Sequence, residues 1–151
     1  MRYHVGMIVV LDTSVFVAAI LGAPRGPSRQ VLRACLTGKL KPLMGTTLFC
    51  EYEALLSRDE LYQDAPLSAA DREVLLDALM SVAAWTTIYF AWRPNLRDEA
   101  DNHLVELAVA GGATAVITYN TKDLTNAELA FPGLRILTPE ALLREMASWE
   151  P

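Results

Sequence analysis

Five acidic residues of this 151-residue chain stand out because they fall at four stations, each beside a different structural element or turn: Asp12, Glu51, Asp98 with Asp101, and Asp123. Carboxylates gathered from distant stretches make a hard, all-oxygen donor set of the kind Mg²⁺ or Mn²⁺ prefers. Such an ion activates water and steadies charge on a phosphodiester, so the chemistry they suggest is metal-assisted hydrolysis. Asp12 is the most telling. The apolar run Met7-Ile8-Val9-Val10-Leu11 stops at Asp12, and Thr13-Ser14 leads into the helical stretch 15–21. A carboxylate at the carboxyl end of a buried parallel strand sits where open α/β sheets place ligand crevices. Burial there is costly unless the group is paired or metal-bound, and no arginine or lysine stands near it in sequence.

Singly, the other acids have plainer readings. Asp98 and Asp101, three apart at a helix start, face the same way and suit an N-cap where the dipole favours negative charge. Glu51 lies among Phe49, Tyr52 and Leu55 on a helix and would serve as an exposed residue, and Asp123 suits a turn. Asp12 has no turn to form. A shared divalent cation would resolve the repulsion of three or four such groups.

The elements that must position these residues alternate. A strand over 7–11 precedes a helix ending near Gly22, with Ser14 as a candidate cap. A second helix starts at Pro27 and stops at Gly38, and a short strand covers 40–44. Thr46 and Thr47 are candidate caps for a third helix to about Arg58. Residues 59–67 connect to a helix opened by Ser68-Ala69-Ala70-Asp71, which reads like a capping box, and running to about Ala84. Residues 85–90 look like a β-rich strand. Asp98–Asn102 opens a helix to Gly111-Gly112, residues 115–118 form a buried strand, 119–123 a turn, 134–137 a strand and 139–147 a last helix. Strands alternating with helices predict a three-layer α/β/α fold around a parallel sheet of four to five strands. One domain over 1–151 is expected, with 1–6 as a short extension.

Composition narrows the class. A hydrophobic fraction of 52% against 21% charged residues is that of a globular chain. No apolar run approaches the length of a membrane helix, and the start of the chain lacks a leader pattern, so a cytoplasmic protein is expected. Cys35 and Cys50, without CxxC spacing, read as reduced core residues, and His4 and His103 are too scattered for a zinc site. Net charge is −5, which argues mildly against nonspecific nucleic-acid binding. Yet no acid lies between Asp12 and Glu51, where Arg25, Arg29, Arg33, Lys39 and Lys41 all fall. Arg29 and Arg33 share a helix face. That block is either a solvated face, a phosphate-contacting rim or a landing site for an acidic peptide.

The stretches V-V-L-D-T-S-V-F, E-Y-E-A-L-L, D-E-A-D-N-H-L-V-E-L-A and A-V-I-T-Y-N-T-K-D-L, in that order, resemble the PIN domain family. Within it they look most like the toxins of toxin–antitoxin systems related to the VapC ribonucleases. The resemblance covers about 7–147. It implies an endoribonuclease using Mg²⁺ or Mn²⁺, with Asp12, Glu51 and Asp101 catalytic. Asp98 and Asp123 would join them as metal ligands, and Ser14 would orient the first carboxylate. Glu51 is preferred over Glu53 because the family glutamate directly precedes the Y-E-x-x-L stretch. Thr118 and Asn120 would orient ligands, and Arg25, Arg29 and Arg33 would contact the RNA backbone. The resemblance further implies a cognate antitoxin and a homodimer.

One departure stands out. PIN domains commonly show Thr-Gly-Asp where this chain has Thr118-Tyr119-Asn120, so an amide replaces an acid, with Asp123 three residues on as a substitute. The alternative that follows is a PIN fold that binds RNA or protein without cutting. A haloacid-dehalogenase phosphatase fits less well, since its second aspartate would fall at Ser14. A receiver domain wants paired acids earlier and a better-placed lysine than Lys122.

Overall fold

A computed structural model describes residues 7–88, 102–124 and 131–149. Among these, five strands and six helices follow the expected alternation: β1 (Met7–Leu11), α1 (Thr13–Leu21), α2 (Pro27–Leu36), β2 (Leu40–Met44), α3 (Thr46–Leu56), α4 (Ala69–Val82), β3 (Ala84–Trp85), α5 (Asn102–Gly111), β4 (Ala115–Ile117), β5 (Arg135–Leu137) and α6 (Pro139–Ala147). Short 3₁₀ turns cover Asp59–Tyr62 and Thr121–Leu124. The strands form one parallel sheet in the order β3-β2-β1-β4-β5, covered by helices in a three-layer α/β/α arrangement. The chain therefore builds β1, β2 and β3 outward in one direction, then returns to add β4 and β5 on the other side of β1. The reversal point is the gap between the carboxyl ends of β1 and β4, where such sheets bind ligands.

Burial explains why these runs become strands. Val9, Val10 and Leu11 of β1 and Ala115, Val116 and Ile117 of β4 are all buried, as a sheet covered on both faces requires. Each fully buried Val, Leu or Ile contributes about 1.5–3 kcal/mol from apolar area alone. Phe16 of α1 meets Tyr52 of α3 edge to face at 5.1 Å, joining the two helices that begin after β1 and β2. Gly38, with φ of 89°, ends α2, and Gly112, with φ of 71°, ends α5; both take the left-handed conformation that closes a helix without a Cβ clash.

Several local expectations change. The N-cap of α1 is Asp12, and that of α3 is Gly45, each without a side-chain cap bond, so neither Ser14 nor Thr46 nor Thr47 caps its helix. The Ser68 box does form: the Asp71 N–H donates to Ser68 Oγ at 3.1 Å and the Ser68 N–H to Asp71 Oδ2 at 3.4 Å. β3 is only Ala84–Trp85, because residues 86–88 leave the ladder after one further bond from the Thr86 N–H to the Met44 carbonyl. The rest of that expected strand, and the expected helix opening at 98–101, lie outside the described residues. Cys35 is buried, and burial pushes its thiol up to about 12, but Cys50 is exposed on α3 rather than in the core. Both thiols are free.

The connector after α3 is better built than its polar sequence suggests. Arg72 of α4 is buried, pairs with Asp59 at 2.6 Å and lies 4.2 Å above the Tyr62 ring. A buried guanidinium needs such partners, since losing one leaves an uncompensated charge.

Candidate functional site

The register of β1 against β4 builds the first half of the site. Leu11 pairs with Ile117, and the Asp12 N–H donates to the Ile117 carbonyl at 2.9 Å, so the next residue on each strand meets across the gap. Those residues are Asp12 and Thr118. The Thr118 hydroxyl, fully buried, donates to Asp12 Oδ2 at 2.8 Å, and Ser14 Oγ donates to the same oxygen at 3.1 Å. The Thr13 hydroxyl stands 3.4 Å from Oδ1. Ser14 thus hydrogen-bonds the carboxylate as a residue of the helix's first turn rather than as its cap.

Thr118 has a second duty. Its Oγ1 accepts the Asn120 N–H at 2.9 Å, which curls the chain back over the strand end and leaves Asn120 exposed beside the gap. Asp12 is half-buried, and among the described residues no arginine, lysine or histidine forms an ion pair with it. Its hydrogen-bond donors there are neutral hydroxyls.

The second half comes from α3 and α5. Tyr52, fully buried, donates its hydroxyl to the Leu11 carbonyl at 2.8 Å, which pins α3 against the carboxyl end of β1. Burial raises the Tyr52 hydroxyl well above its usual range, and the nearby acidic groups, Asp12 foremost, push the same way. Glu51 is half-buried, and His103 Nε2 of α5 stands 2.8 Å from its Oε2. Glu53 is exposed and lines a different hollow with Phe49, Arg72 and Asp77.

Two side chains here carried no assigned role from sequence. His103 Nδ1 is buried with no hydrogen-bond partner among the described residues. Glu106, one turn further along α5, is 6% exposed, and its Oε2 is likewise buried without a partner. The signal for Glu106 was visible: an acid inside the apolar run Leu104-Val105-Glu106-Leu107-Ala108. His103 became noticeable only once α5 lay against α3.

The remaining assigned residues divide. Asp98 and Asp101 lie outside the described residues, as does the Asp123 side chain, although the Asp123 backbone belongs to the 3₁₀ turn after Asn120. Among the described residues no three histidine, cysteine or acidic side chains gather closely enough to hold a metal. The oxygen donors of Asp12 and Glu51 suit a hard divalent cation in kind.

Arg25 is exposed in the loop before α2, and Arg33 is exposed on α2. Arg29 is turned inward: its Nε and one terminal nitrogen donate to the Ala19 carbonyl at 2.9 and 2.6 Å, and that nitrogen also reaches Ile20 at 3.4 Å. These are end carbonyls of α1, left open by helix geometry, so the Arg29 guanidinium caps a helix.

Comparison with known proteins gives the frame. A family model described as PIN domain matches residues 8–122. A solved structure titled as VapBC2 from Rickettsia felis bound to a DNA fragment from their promoter superposes with a TM-score of 0.54 at 16% identity. That match covers 87% of this chain and 98% of the other, and supports the fold. No curated protein matches.

Proposed function

This chain belongs to the PIN domain family, and we propose that it is a metal-dependent endoribonuclease, the toxin of a toxin–antitoxin pair. The observation that carries the reading is the Asp12 corner: a carboxylate at the sheet's reversal point, oriented by the Thr118 and Ser14 hydroxyls and left without a cationic partner among the described residues. A carboxylate held this way keeps lone pairs for a cation. Asp12, Glu51 and Asp101 would hold Mg²⁺ or Mn²⁺, with Asp98 and Asp123 as further ligands. When bound, the ion supplies Lewis acidity toward the phosphodiester and activates water for its hydrolysis.

The chain's own residues set the rest. Thr118 and Ser14 fix the Asp12 rotamer, and His103 holds Glu51. Tyr52 ties the helix carrying Glu51 to the strand carrying Asp12. Asn120 supplies an amide at the rim, and Arg25 and Arg33 offer exposed positive charge for the RNA backbone. No helix among the described residues is long and apolar enough to cross a membrane, which is compatible with a cytoplasmic enzyme. The solved structure of similar fold is VapBC2 bound to a DNA fragment from their promoter, and its likeness supports a cognate antitoxin here; a homodimer rests on family resemblance.

Thermal unfolding under Mn²⁺ or Mg²⁺ titration tests the reading. Binding at concentrations far above Kd should stabilise the fold by roughly 3–4 kcal/mol, with RNA cleavage appearing over the same range. Absence of both responses would sink it. The second reading, a PIN fold that binds RNA or protein without cutting, is favoured by Asn120 in place of the usual acid, and predicts RNA or partner binding with no cleavage.

A further inference from the structure

We propose that Tyr119 is a stacking platform for one base of single-stranded RNA lying across the Asp12 corner, an inference that rests on the ribonuclease reading. Tyr119 stands between Thr118, which holds Asp12, and Asn120. The residue is 42% exposed although the strand it follows is wholly buried. It is also fastened at both ends. Its N–H donates to Ser14 Oγ at 3.4 Å, and Ser14 Oγ in turn donates to Asp12. Its hydroxyl shares a 2.6 Å hydrogen bond with Ser28 Oγ, a buried residue in the first turn of α2.

A ring restrained in this way has little rotamer freedom left to lose when a planar ligand lands on it. Its position is tied through a single serine to the carboxylate that would face the scissile phosphate. The hydroxyl's anchor also sits at the start of the basic block: Arg25 lies three residues before Ser28, and no acid occurs in the first turn of α2. A strand whose base covers Tyr119 would thus have positive charge available for its phosphates. Every base offers a π-face, so the platform selects for unpaired bases rather than for a sequence.

Fluorescence anisotropy with a labelled single-stranded RNA 12-mer of random sequence, in EDTA to prevent cleavage, tests this. Tyr119→Ala should weaken binding by about tenfold or more, the scale of one lost base–aromatic contact. Tyr119→Phe, which keeps the ring, should stay within about threefold of wild type, a deficit no greater than that of one modest hydrogen bond. The slope of affinity against salt should not change, since no phosphate contact is removed. Tyr119→Leu serves as the non-aromatic variant if the alanine chain fails to fold. Wild-type affinity in a folded Ala or Leu variant overturns the platform and leaves the ribonuclease reading standing. A wild-type chain that neither binds nor cuts RNA overturns both.

Discussion

The carboxylate at the end of β1 and the carboxylate on α3 are held by different physics. Asp12 is positioned by strand register: once Leu11 pairs with Ile117, the Thr118 hydroxyl is delivered to it, and the side chains that donate to it among the described residues are neutral hydroxyls. Glu51 is positioned by helix packing, through the Tyr52 anchor to β1 and through an imidazole on α5. Register is enforced by a buried sheet, in which a one-residue slip would misplace every side chain. A helix face has more latitude, and a His–carboxylate contact can be exchanged for another partner. On the proposed ribonuclease reading, the Asp12 corner is therefore the preformed half of the site, and the Glu51 corner the half that a bound cation would have to compete for.

Three substitutions break or sharpen that contrast. Asp12→Asn should have the largest effect, lowering RNA cleavage by ~10²-fold or more, the scale of losing a group that stabilises charge in the transition state. Its melting temperature should move little, because the amide oxygen still accepts from Thr118 and Ser14; full cleavage activity would refute the assignment. Thr118→Val, close in shape but without the hydroxyl, should weaken metal affinity by about 10- to 100-fold, the range for residues that orient a ligand. Calorimetric titration with Mn²⁺ reads this directly, and unchanged affinity would mean that Asp12 does not need the register-delivered hydroxyl. Tyr52→Phe should cost about 1–3 kcal/mol in urea unfolding, because a buried carbonyl loses its donor. It should impair cleavage less than either of the others; a larger loss than Thr118→Val would show that the α3 anchor, not strand register, limits the site.

Much of this was legible along the chain. The alternation of apolar runs with capped helices implied a parallel sheet, and the run ending at Asp12 implied a carboxylate at a strand end. Both follow from local burial patterns, and the family resemblance rested on the same stretches. Ser14 was offered as a helix cap but instead hydrogen-bonds the Asp12 carboxylate, because a hydroxyl near a helix start serves either purpose. Arg29 shows the reverse limit. Its spacing from Arg33 correctly placed both on one helix, but spacing carries no information about the open α1 carbonyls that take up its guanidinium. Cys50 misled for the same reason: a thiol's burial depends on what packs over it.

What the sequence by itself determined was the order of elements, the strand-end position of Asp12 and the amide at Asn120, since each depends on neighbours along the chain. Only the tertiary structure decided that Thr118 holds Asp12, that His103 meets Glu51, that Glu106 is buried and that Tyr119 is pinned to Ser28. Such contacts join residues far apart along the chain, 106 positions from Asp12 to Thr118, 91 from Ser28 to Tyr119 and 41 from Leu11 to Tyr52. They exist because β4 returns to the far side of β1 and α5 packs beside α3, choices set by the burial of the whole core rather than by any local motif.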